Sequence, residues 1–200
     1  MSISEIYDIY VQYPSVVTDT RKLKEGDFFF ALKGPNFNAN TFAFKALEAG
    51  AAYCVVDELL ATIAGYYEGN NEAQKEAALS KMIVVDDVLT TLQALADHHR
   101  STFDIPFIAI TGSNGKTTTK ELIFSVLSQK YQCFATAGNL NNHIGVPLSI
   151  LSIKPNDEIA VIEMGANKQG DIKELVDIAQ PTHGLITNIG KAHLEGFGGI

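Results

Sequence analysis

The alternation of apolar and polar residues predicts a small α/β unit at the start of the chain. Strands are predicted in "SVVTDTR", "DFFFALKG", "AYCVVDE" and "KMIVVDD". A helix is predicted in "TFAFKALEAGA", with Thr41 as its N-cap and Gly50 after its end. The polar segment between the last two strands is predicted to be a surface loop or a loosely attached helix. We place the boundary of this unit near residue 86.

From residue 87 onward, strands and helices alternate more regularly. "DVLTTLQALADHHRS" predicts a connecting helix whose last turn, with His99 and Arg100, is expected to be solvated. Strands are predicted in "PFIAIT", "CFAT", "EIAVIEMG" and "GLITNIG", and "DIKELVDIAQ" is predicted to be a helix that Pro181 ends. A further helix over residues 117–130 is expected to direct four side chains inward: Leu122, Ile123, Val126 and Leu127. Apolar strands alternating with helices indicate an α/β fold with a mostly parallel sheet.

The segment "FIAITGSNGKTTTKE", residues 107–121, is similar to a phosphate-binding loop with one departure from G-x-x-x-x-G-K-[ST]. The first glycine of that pattern falls on Ile110. The flanks are nevertheless those of a phosphate loop, since a strand precedes the segment and a helix follows it. Gly112 and Gly115 allow a tight turn, and the helix start carries a partial positive charge. Lys116 would reach the terminal phosphates and Thr117 would bind Mg²⁺, although ordinary turn chemistry at a helix start remains an alternative.

Other polar residues stand where neighbouring strands end. Glu163 follows the apolar run 159–162, at the edge of an open α/β sheet where ligands bind, although a strand-end glutamate can simply meet solvent. His193 lies in a Gly-rich segment after the next strand, where a lone histidine is more often a loop or core residue than a ligand. Asn141 and Asn142 belong to "GNLNNHIG", where amides could orient phosphate or a carboxylate, or only shape a turn.

Composition narrows the classes of function. Hydrophobic residues make up 46% of the chain and charged residues 19%, as in ordinary globular proteins. The net charge of −8 disfavours nucleic-acid binding, because no cationic surplus is present. Cys54 and Cys133 are expected to be reduced residues of the core. No apolar stretch approaches the ~18 residues of a membrane span, and the N-terminus lacks a signal-peptide pattern; we expect a cytoplasmic protein.

Taken together, these segments resemble the Mur ligases, the ATP-dependent amide-forming enzymes of peptidoglycan precursor synthesis. The loop is similar to the family's T-G-[TS]-[NS]-G-K-T form, which does not require the first glycine. "GNLNNHIGVPLSIL", "EMGANKQGDI" and "ITNIGKAHLEGFG" look most like the branch that joins D-Ala-D-Ala to UDP-N-acetylmuramoyl-tripeptide. "VVTDTRKLKEGDFFFALKG" is similar to the family's N-terminal UDP-substrate domain.

The resemblance implies two domains and a set of roles. Residues 1–86 would bind the UDP substrate, and residues 87–200 would form the first portion of a phosphate-loop ATP-binding domain, within which the chain stops. Thr20 and Arg21 match a Ser-Arg pair near the nucleotide-sugar, whereas "NFNANTF" departs from the more usual D-G-H-x-F. ATP would be held by the loop residues Gly112, Ser113, Asn114, Gly115, Lys116, Thr117 and Thr118. Mg²⁺ would be held by Thr117, Glu163 and His193.

The implied reaction has two steps. The tripeptide carboxylate attacks the γ-phosphate of ATP to give an acyl phosphate, and the amine of D-Ala-D-Ala then displaces phosphate. We expect a monomer with no membrane or nucleic-acid partner, and we expect residues 1–200 alone not to ligate. Three alternatives stay open: a Mur-type ligase that adds a diamino acid, a phosphate-loop NTPase or kinase, and a module that only binds the UDP substrate.

Overall fold

A computed structural model of the chain describes residues 1–59, 62, 72–190 and 196. The chain divides into two compact units, residues 1–92 and residues 93–200. Among the described residues, no helix is both long enough and apolar enough to cross a membrane. Both cysteines are free, and burial raises the pKa of the Cys54 thiol to about 12.

The first unit is built on a small parallel sheet with strand order β1-β2-β5-β6. These strands are β1 (Val16–Val17), β2 (Phe28–Phe30), β5 (Tyr53–Val56) and β6 (Met82–Val84). Between β2 and β5 the chain forms a short antiparallel hairpin of β3 (Lys33–Gly34) and β4 (Phe37–Asn38). The helices are α1 (Ile3–Gln12), α2 (Ala43–Glu48) and α3 (Glu72–Leu79). The three phenylalanines of β2 and the residues Cys54–Val56 of β5 are fully buried and contribute to the core of this unit.

The structure corrects two predictions in this unit and adds one helix that was not predicted. The stretch "DFFFALKG" forms two strands, β2 and β3, that belong to different sheets. The helix predicted from Thr41 is instead a 3₁₀ turn over Ala39–Phe42 followed by α2, because the Asn38 side chain caps the turn by accepting from the Asn40 amide. Helix α1 was not predicted, although Ser2 and Glu5 form a capping box at its start.

The second unit is a parallel sheet with strand order β10-β7-β9-β8, which confirms the predicted α/β class. Its strands are β7 (Phe107–Thr111), β8 (Cys133–Ala135), β9 (Ile159–Glu163) and β10 (His183–Ile186). Helices α5 (Lys116–Leu127), α6 (Gly145–Ile150) and α7 (Asp171–Ala179) connect them, and α4 (Val88–Ser101) precedes them. Strands β7, β9 and β10 end at one edge of the sheet, where Ile110 pairs with Glu163 and Thr111 with Ile186.

Helix α5 packs on β8 and β9 through a face that differs from the predicted one. Leu122 and Val126 are 63% and 71% exposed, so their predicted inward orientation was wrong. The helix is turned so that Lys120, Ile123 and Leu127 lie on the sheet side, and the Lys120 side chain is fully buried. The position of a buried charge, rather than the count of apolar residues, therefore identifies the packed face.

The last turn of α4 is also buried, contrary to the prediction of a solvated end. His99 and Arg100 are 6% and 8% exposed. The Arg100 guanidinium donates from Nε to Ala179 O and from Nη2 to Gln180 O, both at 2.9 Å, and lies 3.7 Å from the centre of the Phe107 ring. Arg100 thus satisfies carbonyls that the C-terminus of α7 leaves without helical partners.

Candidate functional site

The turn between β7 and α5 requires glycine at two positions, and neither is position 110. Gly112 has φ +134° and Gly115 has φ +79°, values that residues with a Cβ rarely adopt. A Cβ on Gly112 would also overlap Thr187 Oγ1. Ile110, in contrast, is a fully buried residue of β7. The departure from the general loop pattern therefore places a core side chain at the strand end and leaves the turn to Gly112.

The segment after β10, residues 187–190, exchanges hydrogen bonds with the loop between β7 and α5, and each segment both donates and accepts. Ser113 N donates to Asn188 O at 3.1 Å, and Asn114 N donates to Asn188 Oδ1 at 3.0 Å. In return, Thr187 Oγ1 donates to Asn114 O at 2.6 Å, and Gly190 N donates to Ser113 Oγ at 2.9 Å. The amides of Ser113 and Asn114 are consequently engaged within the protein.

The amides left for an anion are those at the start of α5, from Gly115 to Thr118. Across the described part of the chain, none of these four has a hydrogen-bond acceptor. Aligned N–H groups and the helix dipole make such an end attractive to phosphate. The Lys116 ammonium lies beside it and donates to Gly112 O at 2.7 Å. Thr117 is exposed at this end of the helix.

Glu163, the last residue of β9, is a buried carboxylate with one oxygen satisfied and one not. Its side chain is 2% exposed, which rules out the reading of a strand-end glutamate that meets solvent. Oε1 accepts from Asn141 Nδ2 at 2.8 Å. Oε2 has no hydrogen-bond partner among the described residues, and the nearest cation, Lys120 Nζ, is 4.0 Å away. An unsatisfied buried carboxylate oxygen is unfavourable on its own and is the kind of ligand that Mg²⁺ prefers.

The two candidate asparagines have different structural roles. Asn141 orients Glu163 and also accepts from Gly165 N at 2.7 Å through its backbone carbonyl. A Cβ at Gly165 would come 3.1 Å from the Asn141 side chain, so glycine permits this close approach. Asn142 Oδ1 accepts from Ile144 N and Gly145 N and shapes the turn before α6. Of the two asparagines, Asn141 is therefore the one that binds the Glu163 carboxylate.

The first unit contains a cavity of about 510 Å³ at the predicted Thr20–Arg21 pair. Its lining combines one polar segment with aromatic and apolar side chains: Thr18, Asp19, Thr20, Arg21, Phe29, Phe37, Ala39 and Phe42. Arg21 donates to both carboxylate oxygens of Asp19, at 2.8 and 2.9 Å, and this pair lowers the pKa of Asp19 to about 2. The Arg21 guanidinium is exposed, which leaves donors available to an anionic ligand.

Three functional candidates were not identified from the sequence: Lys120, Thr136 and Asn188. Lys120 stands three and seven residues before the apolar Ile123 and Leu127 on one helix face, but Leu122 and Val126 form a second apolar stripe, so the spacing alone does not mark Lys120 as buried. Asn188 follows a predicted strand, but its contact with the loop depends on β10 lying next to β7. His193 lies outside the described residues. Among the residues described, no group of three or more His, Cys, Asp or Glu side chains is placed to hold a metal ion.

Residues 110–200 match the family described as the Mur ligase middle domain. The UDP-N-acetylmuramoyl-tripeptide–D-alanyl-D-alanine ligase of Bacillus subtilis is 42% identical over 92% of this chain and 37% of its own length. The crystal structure of MurF from Acinetobacter baumannii superimposes with a TM-score of 0.78 at 38% identity, over 92% of this chain and 38% of the other.

A MurF ligase from Thermotoga maritima, solved in complex with ADP, superimposes with a TM-score of 0.72 at 34% identity. The alignment covers 90% of this chain and 38% of that one. The chain thus spans about two fifths of the length of these relatives.

Proposed function

Because this chain belongs to the Mur ligase family and is similar to the MurF ligases compared above, we propose that it forms the UDP-substrate and nucleotide-binding part of a UDP-N-acetylmuramoyl-tripeptide–D-alanyl-D-alanine ligase. The observation that carries this proposal is Glu163, a buried carboxylate with an unsatisfied oxygen, at the sheet edge where the phosphate loop also begins. A phosphate loop and a carboxylate at one edge are the minimum that ATP with a divalent cation requires.

We propose that ATP places its terminal phosphates at the start of α5. The four amides from Gly115 to Thr118, which have no acceptor among the described residues, and the helix dipole would attract the phosphate oxygens. Lys116 already lies over the loop and can exchange its bond to Gly112 O for one to a phosphate oxygen. The ADP complex of the Thermotoga maritima relative is consistent with nucleotide binding to this fold.

The residues present fit Mg²⁺. Glu163 Oε2 is a buried anionic oxygen without a partner in the described part of the structure, and the Thr117 hydroxyl is exposed at the helix start. We propose that these two side chains hold the first ion and that His193 belongs with the second. When bound, the ions would offset the negative charge that accumulates on the phosphates.

The chemistry that we propose is an amide ligation through an acyl phosphate. A carboxylate oxygen of the tripeptide attacks the γ-phosphorus, and the bond to the ADP oxygen breaks. The amine of D-Ala-D-Ala then attacks the acyl carbon, phosphate leaves, and the amine loses a proton. In both steps Lys116 and the amides at the start of α5 stabilise negative charge on the transferred phosphoryl group.

We propose that the cavity of the first unit receives the UDP portion of the muramoyl substrate. Its aromatic side chains, Phe29, Phe37 and Phe42, offer flat apolar surface to a base or sugar ring. Thr20 and the exposed guanidinium of Arg21 provide donors for phosphate oxygens. An aromatic wall beside such donors suits a nucleoside diphosphate.

The test uses a protein that carries this sequence within the full length of its relatives. We expect ADP release that requires both D-Ala-D-Ala and the UDP-muramoyl-tripeptide, and loss of that activity in Lys116→Met and Glu163→Gln. Ligation of a single diamino acid but not of the dipeptide would overturn the MurF assignment. ATP hydrolysis that is indifferent to the muramoyl compound would instead favour an NTPase.

A further inference from the structure

Lys120 is a fully buried lysine that the proposed reaction does not use. It lies on α5, one helical turn after Lys116, and its side chain is 0% exposed. Its ammonium donates to Thr136 O at 2.6 Å and contacts Glu121 Oε1 at 2.9 Å. A buried ammonium is unfavourable unless it is paired. Glu121 is 61% exposed, whereas the second carboxylate near Lys120, that of Glu163, is buried as Lys120 is.

Thr136 connects Lys120 to Glu163 by both of its oxygens. Its carbonyl accepts from Lys120 Nζ, and its hydroxyl oxygen accepts from Glu163 N at 3.0 Å. The Thr136 amide donates to Val161 O, which fixes the residue against β9. The Lys120 ammonium is thereby anchored next to the end of β9 by a short chain of hydrogen bonds.

The distance between the Lys120 ammonium and the Glu163 carboxylate indicates how the two groups interact. Lys120 Nζ lies 4.0 Å from Glu163 Oε2, beyond hydrogen-bond distance but close enough for strong attraction in a buried site. The other carboxylate oxygen is held by Asn141. Lys120 thus offsets the negative charge of the carboxylate, and Asn141 fixes its direction. Oε2 accepts no hydrogen bond from the described residues, so its lone pairs are available to a cation.

We propose that Lys120 is a positioning residue for Glu163: it is a fixed counter-charge that holds the carboxylate in place and leaves Oε2 free for the cation that accompanies the nucleotide. Because Lys116 and Lys120 belong to one rigid helix, the same element sets the phosphate end of the site and the carboxylate end. This inference rests on the proposed function, since it assigns a role toward the same cation.

The first experiment measures ADP affinity calorimetrically, with Mg²⁺ and with EDTA, in the protein carrying this sequence at the full length of its relatives. We expect Lys120→Met to reduce the gain in affinity that Mg²⁺ provides by about tenfold or more, as for other residues that orient metal ligands. Binding in EDTA should be unchanged. Glu121→Gln is the matched control: it removes the exposed partner of Lys120 and should leave the Mg²⁺ gain unchanged.

The second experiment measures thermal midpoints without nucleotide or metal. Lys120→Met leaves a buried carboxylate without its counter-charge, so it should lower the midpoint, and adding Glu163→Gln should restore part of it. If Lys120→Met does not fold alone, folding of the double variant would support the pairing, and failure of both to fold would overturn it.

The outcomes separate the inference from the proposed function. If Mg²⁺ still increases the ADP affinity of Lys120→Met as it does for the wild type, Lys120 only stabilises the packing of α5 against β8, even where the midpoint is lower. That result would overturn the inference but not the proposed function. Additive midpoint changes in the double variant would do the same. A wild-type protein with no Mg²⁺-dependent ADP binding would overturn both the proposed function and the inference.

Discussion

Replacing Gly112 with alanine tests whether the loop between β7 and α5, the proposed phosphate loop, is shaped by its contact with residues 187–190. The backbone of Gly112 has φ +134°. A methyl group there would overlap Thr187 Oγ1 and lie 3.0 Å from Asn188 N and O. The added group meets backbone as well as a side chain, so either the loop or the segment after β10 must move.

The magnitude follows from two contributions. A residue with a Cβ in left-handed backbone costs about 1–2 kcal/mol, and overpacking against a fixed neighbour adds about 1–3 kcal/mol. Gly112→Ala should therefore lower the free energy of unfolding by about 2–5 kcal/mol. Gly115→Ala is the matched control, because its φ is +79° but no atom of the described residues lies within 4 Å of the added Cβ. It should cost only the backbone part, about 1–2 kcal/mol.

The assay is urea-dependent hydrogen exchange of the β7 amides, which reports the unfolding of residues 93–200 separately from the other unit. Thr187→Ala supplies a double-mutant cycle, since it removes the hydroxyl that the new methyl would overlap. We expect Gly112→Ala to cost less in the Thr187→Ala background, by about 1–2 kcal/mol. A cost for Gly112→Ala no larger than that for Gly115→Ala, or strict additivity with Thr187→Ala, would refute the reasoning.

Three further predictions concern stability. Arg100→Met should lower the free energy of unfolding by about 2–4 kcal/mol in urea titrations, because buried carbonyls lose a charged donor; recovery by Arg100→Lys should be partial. Burial lowers the pKa of His99 from its ordinary value of 6.5, so the unfolded state binds a proton more readily than the folded state. The contribution of His99 to the free energy of unfolding should therefore be fully present above pH 6.5 and decrease as the pH drops below it. His99→Gln should flatten this dependence in titrations from pH 7 to 5. Asn40→Ala should cost about 2–4 kcal/mol, since Asn40 makes two hydrogen bonds with Asp57. Asn40→Asp should be no milder, because it opposes a second carboxylate to Asp57, and an unchanged urea midpoint in either Asn40 variant would contradict this role.

The elements around the phosphate loop were predictable because their signals are local. Strand β7 is a short apolar run, α5 begins at a Gly-Lys-Thr sequence, and both lie where the sequence predicted them. Glu163 was identified for a similar reason, as an acid directly after a buried strand. The fixed direction of its carboxylate was not predictable, since it depends on a hydrogen bond from Asn141, 22 residues earlier in the chain.

What the sequence did not reveal depends on distant partners. Arg100 was expected in solvent, but its acceptors are 79 and 80 residues away, at the end of α7. Helix α5 offers two apolar stripes, one with Leu122 and Val126 and one with Ile123 and Leu127. Periodicity alone does not indicate which stripe packs on the sheet. The buried side chain of Lys120 does indicate it, but Lys120 becomes buried only when the helix packs on β8 and β9.

The contact between residues 112–114 and residues 187–190 has a consequence for biosynthesis. Partners 73 to 77 residues apart give the loop a high contact order. At 5–20 residues per second, a ribosome takes roughly 4–15 seconds to travel from Asn114 to Asn188. During that interval the loop has emerged without the strand and segment that fix its shape, so the proposed nucleotide site can form only after β10 has joined the sheet.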